Sequence, residues 1–506
     1  MSAEKPEHGA KEIELKLAFE PADAPRILAH PLLAALHAPA DKRELISIYY
    51  DTGDDALRKA GVFLRVRSTG DGYIQTIKAT RDAAEFFERQ EWERPVPSHE
   101  PELDSAKDTA LGPLLSPEVR AGLRPRFHTR FMRKTYQLRR DEAQVELAID
   151  QGEITAGVTA APISELELEL KAGQKRVLFW LARDLAATVP LTLAVKNKAE
   201  RGFELLDGGP RLVEKARDVD ISPDMTCADA FRTIARGCLR QIVVNAPAVH
   251  EGCADALHQT RIGIRRFRAG LTLFADVTAD DDRDRIAAEL KWLTGELGPA
   301  RDLDVFEADV LGPLRASHPD DAGLAAAYRD FVERRAAAYA RAAGAVGSSR
   351  FRMALLDIAA WVETAAWAEG ALARRPVIEH ATEDLSHLRR RLKKRGAHLR
   401  ELSPAEQHKV RIRAKGLRYA TEFFAVTFPG KKNAKRRAKS LAALGDLQDS
   451  LGALNDIVIR QSLLAASDAP ATEHVPKADA VQAEKHLKDA ERAFARFTDI
   501  KPFWKA

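Results

Sequence analysis

Two short segments alternate charged and apolar residues, and their spacing is where chemistry could begin. In Glu12-Ile13-Glu14-Leu15-Lys16 a strand would put Glu12, Glu14 and Lys16 on one face and Ile13 and Leu15 on the other, because successive strand side chains point to opposite sides. Glu165, Glu167 and Glu169 alternate with Leu166, Leu168 and Leu170 in the same way. Carboxylates crowded on one face repel one another until solvent or cations neutralise them. Hard divalent cations such as Mg²⁺ or Mn²⁺ take such oxygen ligands. Other segments carry the opposite charge: Arg65 and Arg67 share a face, Lys78 ends one strand, Arg133 lies in another, and Lys198 and Arg201 follow later. Arginine forks grip phosphate oxygens, so cationic and acidic strands around one cavity suit a polyanion that arrives with metal. Solvated charges on a half-exposed strand look similar; recurrence over several strands weighs against that reading.

A second basic pattern lies downstream. His258, Arg261, Arg265 and Arg268 are spaced three, four and three apart, and His408, Arg411, Lys415 and Arg418 repeat the spacing. On a helix each set forms one stripe. Like charges so placed cost about 0.2–0.5 kcal/mol per pair, so two such stripes in one bundle call for a polyanion between them. A histidine heading each copy can add a hydrogen-bond donor. Further on, Leu297-Gly298-Pro299-Ala300-Arg301-Asp302 is matched by Leu451-Gly452-Ala453-Leu454-Asn455-Asp456. Two elements repeated in the same order indicate an internal duplication. The bland alternative is a solvated face bridged to Asp302, Asp304, Asp449 or Asp456.

The elements that must position these groups change character near residue 210. Before it, eight segments alternate with period two: 13–19, 43–50, 62–67, 73–78, 86–96, 127–138, 144–150 and 163–170, followed by a helix over 174–187. Eight strands of this kind imply an antiparallel barrel or strongly curved sheet. After a Gly- and Pro-punctuated linker at 207–223, helical spacing dominates, over 227–244, 253–275, 281–297, 301–311, 320–342, 350–368, 380–401, 404–426, 433–452 and 472–497. The expectation is an α+β chain of two domains, 10–206 and 224–500. Its 506 residues, 45% hydrophobic and 30% charged with a net charge of +4, suit folded domains. Cys227, Cys238 and Cys253 form no CxxC pair, which speaks against a disulfide framework or a zinc site. The first residues lack an apolar signal core and no apolar stretch reaches membrane-spanning length, so a cytoplasmic location is expected.

Several motifs together resemble the CYTH superfamily, the triphosphate tunnel metalloenzymes. They are Glu12-x-Glu14-x-Lys16, Tyr49-Tyr50-Asp51-Thr52, Gly61 to Arg67, Thr76-Ile77-Lys78, Arg89-Gln90-Glu91, Glu146 to Glu153, Glu165 to Glu169 and Lys198 to Gly202. The resemblance implies an eight-stranded antiparallel tunnel that binds a triphosphate with Mg²⁺ or Mn²⁺. Carried over, Lys16, Arg65, Arg67, Lys78, Arg133, Lys198 and Arg201 would hold phosphate oxygens. Glu14, Glu167 and Glu169 would bind metal, and Glu12 with Glu14 would orient or deprotonate the attacking water. The duplicated His/Arg stripes resemble the CHAD family, the conserved-histidine α-helical domains. That resemblance implies two pseudo-symmetric four-helix bundles binding inorganic polyphosphate along His258, Arg261, Arg265, Arg268, His408, Arg411, Lys415 and Arg418. Together they imply hydrolysis of tripolyphosphate to pyrophosphate and phosphate, with docking on longer chains or polyphosphate granules. The alternatives are a non-catalytic polyphosphate-binding protein and a tunnel enzyme acting on thiamine triphosphate, a nucleoside triphosphate or in a cyclase reaction. Nucleic acid is the weaker partner, since no stacking aromatics interleave with the arginines.

Overall fold

Alternation of side chains dictates the first half of the molecule. A computed structural model describes residues 10–36, 38–79, 87–209, 213–465 and 475–505, with the side chains of 10, 11, 88, 89, 455, 456, 458–465 and 475–479 outside the description. Arg89, Asn455 and Asp456 of the motifs above therefore have no described side chain. The chain divides into two compact units. One runs through Glu214 and takes in Val243–Pro247 and Gly347–Ala365; the other comprises Lys215–Ile242, Ala248–Val346 and the chain from Ala366 onward.

The first unit is built on one antiparallel sheet of nine strands: β1 (Ala10–Ala18), β2 (Asp41–Asp51), β3 (Val62–Ser68), β4 (Tyr73–Ala79), β5 (Glu88–Val96), β6 (Arg124–Arg140), β7 (Ala143–Ala156), β8 (Thr159–Ala172) and β9 (Thr192–Leu193). Their order is β5-β4-β3-β2-β6-β7-β8-β1-β9. Nine strands replace the eight expected. The extra one, β9, has two residues, too few to carry an alternation signal. β1 also pairs with β5: Ala10–Ile13 face Glu88–Glu91, and Glu14–Ala18 face Glu165–Glu169 of β8.

The two faces of these strands make separate cores. Val62, Leu64 and Val66 of β3 are nearly inaccessible and pack with Tyr50, Leu57, Ile77 and Leu111. Burying each such side chain stabilises the fold by at most about 1.5–3 kcal/mol. Leu15 and Leu17 of β1 are also fully buried. A second cluster joins Leu45, Tyr49, Phe127 and Phe131 to Ala199 and Phe203. Helix α1 (Arg176–Ala186) buries Val177, Leu178, Leu181, Ala182 and Leu185 and packs on β1 and β8. Helix α2 (Lys198–Leu206) starts with a capping box, in which the Asn197 side chain accepts from the Glu200 amide and Glu200 accepts from the Asn197 amide. Asp51 ends β2 as a buried cap, accepting from the amides of Thr52, Leu57 and Arg58. That part of the Tyr-Tyr-Asp-Thr motif is structural.

The second unit is helical. Its main helices are α3 (Cys227–His250, of which Val243–Pro247 belong to the first unit), α4 (Ala254–Leu273), α5 (Arg283–Phe306), α6 (Ala322–Gly347), α8 (Val377–Gly396), α9 (Pro404–Phe423), α10 (Lys431–Ala465) and α11 (Val475–Asp499); α7 (Ser349–Thr364) belongs to the first unit. The sequence reading ended a helix at 297 and began another at 301. The structure runs α5 straight through Pro299. Proline normally breaks a helix interior. Here it sits on the exposed face, while Leu293, Leu297, Ala300 and Asp304 bury the opposite face, and that packing outweighs the lost hydrogen bond.

Candidate functional site

Strand register explains how the charged faces meet. Glu14 of β1 lies opposite Glu169 of β8, and Glu169 lies opposite Glu146 of β7. Lys16 faces Glu167, Arg133 of β6 faces Asp150 of β7, Tyr49 of β2 faces Arg65 of β3, and Lys78 of β4 faces Glu91 of β5. Directly paired strand residues hold their Cβ atoms about 4.5–5.5 Å apart, so each register pair becomes a side-chain contact. These residues surround a cavity of about 710 Å³. Ten of the eleven charged residues assigned here from sequence line it: Glu12, Glu14, Lys16, Arg65, Arg67, Lys78, Arg133, Glu167, Glu169 and Lys198.

Arg201 is the exception. It is absent from the cavity lining and donates instead to Glu165 and to the Pro162 carbonyl. Lys198 and Arg201 are three residues apart at the start of α2. Lys198 is buried among carboxylates, whereas Arg201 is partly exposed over the β8 backbone.

The charges form three groups. On β6–β8, Arg133 donates to Asp150 through Nε and Nη2, at 2.7 and 2.6 Å, and its Nη2 also reaches Glu167 at 2.5 Å. Lys198 sits 2.9 Å from Asp150, 2.8 Å from Glu165 and 2.9 Å from Glu167, and Lys16 bridges Glu14 and Glu167 at 2.7 Å each. Burial alone would raise the Glu167 carboxyl, but Lys16, Lys198 and Arg133 hold it well below the usual range. Asp150 is lowered against its burial by Lys198 and Arg133.

A second group is acidic. Burial, with Glu12 and Glu146 adding repulsion, raises Glu169 above the usual carboxylate range against the pull of Lys171, which lies 2.6 Å away. The third group is cationic. Lys78 pairs with Glu12 at 2.9 Å and Glu91 at 3.0 Å. Arg65 reaches Glu91 and Glu93 only at 3.6 and 3.8 Å, and its Nε is buried without a hydrogen-bond partner. Arg67 donates to Ser47 at 3.2 Å. Burial, then the charges of Arg65 and Arg133, pull it down to about 10.

Mg²⁺ or Mn²⁺ would find hard oxygen donors in the acidic group, and Glu169, raised by burial and then by its acidic neighbours, is a carboxylate that such a cation would favour in its charged form. The expected trio lines one cavity but differs in its partners. Glu14 and Glu169 face one another, while both Glu167 oxygens are taken by cationic side chains. Among the described residues no three acidic, histidine or cysteine side chains converge into a ready ligand cluster.

Sequence reasoning passed over Asp150, Glu165, Tyr49 and Glu93 as site residues. The signal was present for Asp150, which shares its strand face with Glu146; the buried triangle with Arg133 and Lys198 becomes visible only with register.

In the helical unit the duplicated motifs explain one another. A Cβ on Gly298 would lie 3.3 Å from Arg261 Nη1, and a Cβ on Gly452 would lie 3.3 Å from Arg411 Nη2. The glycine of each second motif is thus the seat of the arginine of the first. The stripes face one another: Lys415 of α9 is pushed down to about 7, first by burial and then by Arg265, Arg411, Arg418 and Arg261. His258 is lowered by burial and by Arg301, Arg265 and Arg261. His258 Nδ1 and Arg265 Nε are buried without hydrogen-bond partners. Arg418 binds Glu422 at 3.0 Å, and Arg268 lines a neighbouring cavity of about 970 Å³ with Arg265 and Lys415. The two histidines differ: His258 is half-buried and His408 exposed. Of the acids that could have neutralised the stripes, Asp302 reaches Arg261 only at 4.0 Å, and Asp304 is held by Arg335 and Tyr339.

Comparison with known proteins follows the same division. The family model of the CYTH domain matches residues 10–203 and that of the CHAD domain matches residues 233–465. An inorganic triphosphatase of Haemophilus influenzae is 30% identical over 198 residues, 38% of this chain and 55% of that protein; the chain thus spans about half the length of this curated relative. The CHAD domain of Ricinus communis superposes with a TM-score of 0.47 at 28% identity, over 57% of this chain and 97% of that one. A Hippeastrum protein described as an adenylyl cyclase with a dominant triphosphatase activity gives 0.29 at 16% identity, over 39% and 95%.

Proposed function

Because this chain joins a CYTH domain to a CHAD domain, we propose that it hydrolyses inorganic tripolyphosphate to pyrophosphate and phosphate and holds inorganic polyphosphate on its helical unit. The observation that carries the first half is the cationic group of the cavity. Arg65 and Arg67 line the same space, and Arg67, which donates only to Ser47, is pulled down by burial and by the charges of Arg65 and Arg133. A buried cation without a close anion is costly, and a phosphate chain supplies that anion with bidentate geometry. The double pairing of β1 supports reading β5-β4-β3-β2-β6-β7-β8-β1 as the wall of a tunnel, with β9 appended. The duplicated stripes support two pseudo-symmetric four-helix bundles.

In this reading Arg65, Arg67 and Lys78 bind the phosphate oxygens, and Arg133 and Lys198, neutralised by Asp150, Glu165 and Glu167, brace the cavity wall. Lys16 bridges the acidic and basic sides. Glu14 and Glu169 would hold a divalent cation, whose chemistry is to neutralise phosphoryl charge and lower the pKa of bound water. Glu12 lies at the junction, 2.9 Å from Lys78, placed to orient a water for in-line attack. Catalysis is then positioning and electrostatics on a rigid frame. Glu167 takes a supporting role, anchoring Lys16, Arg133 and Lys198.

The second half rests on the facing stripes. Lys415 is buried and repelled by Arg265, Arg411, Arg418 and Arg261, and a polyanion lying between them offsets that repulsion. The test is a phosphate-release assay across tripolyphosphate, ATP, thiamine triphosphate and long polyphosphate, with Mg²⁺, Mn²⁺ or EDTA. Metal-dependent release, fastest from tripolyphosphate, supports the reading. Faster release from an organic triphosphate reassigns the substrate, and no release from any of them leaves a binding protein.

A further inference from the structure

The basic stripes end beside a second, unassigned row of cations. The cavity of about 970 Å³ lies between α4, α5, α8 and α9, and Arg265, Arg268 and Lys415 form one wall. Arg391 of α8 and Arg413 of α9 form another. One turn beyond Arg391 lies exposed Arg395, and Arg413 is lowered by burial and by Arg395 and Arg391, so all three cations are neighbours. None of the three takes part in an ion pair or side-chain hydrogen bond among the described residues. Glu406, whose carboxylate feels Arg395, is already committed to capping α9 at Ser403.

Between the two walls lies Gly416, where an added Cβ would meet nothing within 4 Å. The α9 surface is therefore open between Lys415 and Arg413. The opposite end of the cavity carries Asp276 and Asp384, and burial together with Asp276 raises the Asp384 carboxyl. An anionic chain is repelled from that end and drawn toward the arginines.

We propose that Arg391, Arg395 and Arg413 form a second phosphate lane, onto which a chain seated on the Arg265–Lys415 stripes passes across Gly416. The lane recognises a linear polyanion of phosphate groups longer than the stripes can cover. This rests on the polyphosphate reading of the helical unit, and the experiment separates the two.

Affinities of the full-length protein for a short oligophosphate and for long-chain polyphosphate are measured by anisotropy in EDTA over a series of salt concentrations. The proteins compared are wild type, the triple variant Arg391→Ala/Arg395→Ala/Arg413→Ala, and Gly416→Leu, which blocks the crossing without changing charge. The lane predicts that both variants keep short-chain affinity. Long-chain affinity falls about tenfold or more, and the triple variant lowers the salt slope by about two to three, as expected when three phosphate contacts are lost. Wild-type long-chain affinity and slope in the triple variant, or an unchanged long-chain affinity in Gly416→Leu, overturns the lane. Absence of binding to either chain by wild type overturns the underlying reading instead.

Discussion

Lys198 shows how much of this site is held by charge rather than by packing. Its ammonium is surrounded by Asp150, Glu165 and Glu167, and only 6% of the side chain is exposed. Lys198→Met leaves three buried carboxylates short of a cation and should lower stability by about 3–5 kcal/mol, read from urea unfolding. The same cluster fixes the acid response. Glu167 and Asp150 have folded values below their ordinary ones, so the unfolded chain takes up protons first as pH falls. Their contribution is complete above about pH 4–4.5, the unfolded carboxylate range, and is lost as pH drops through the folded values; thermal melts from pH 6 downward check this. Glu167→Gln is for the same reason a poor probe of catalysis, since it frees three cations at once. Glu169→Gln is cleaner, because Glu169 is raised rather than lowered and its side chain is 26% exposed. It should keep stability within about 1 kcal/mol and lose metal-dependent turnover.

At the scale of elements, α2 carries Lys198 into the cavity, and Gly202 lets it sit there. A Cβ at position 202 would lie 2.1 Å from Phe127 Cε2. Gly202→Ala improves helix propensity by about 1 kcal/mol yet should cost about 1–3 kcal/mol net through overpacking, and it should reduce turnover by displacing Lys198. A melt and an assay on one preparation measure both. The sequence made the β1 and β8 faces legible because period two is a local property. It also made the two helical stripes legible, since their spacing repeats. What it hid depends on partners distant in sequence. The Arg133–Asp150 grip needs the β6–β7 register, Arg201 needed the helical geometry of α2, β9 is too short to show a pattern, and Pro299 stays helical because packing overrides propensity.

For the molecule as a whole, the two units hold their cations in different ways. The first unit buries them opposite carboxylates; the second sets like charges against one another. Among the described residues no helix is long and apolar enough to cross a membrane. In the helical unit Lys415 is pushed down to about 7, so between that pH and its ordinary value of 10.5 the unfolded chain binds more protons and stability rises with pH. A polyanion favours the charged lysine. Polyphosphate affinity should therefore fall as pH rises through about 7, with proton uptake on binding measured by calorimetry in buffers of different ionisation enthalpy. Lys415→Arg should flatten that dependence.

The most direct measurement is phosphate release from tripolyphosphate with Mg²⁺ or Mn²⁺ by four proteins in parallel: wild type, Arg65→Ala, Glu169→Gln and the double variant Arg265→Glu/Lys415→Glu. The cavity account predicts losses of about 100-fold or more for the first two variants and wild-type turnover for the double variant. Wild-type rates from Arg65→Ala and Glu169→Gln would contradict it.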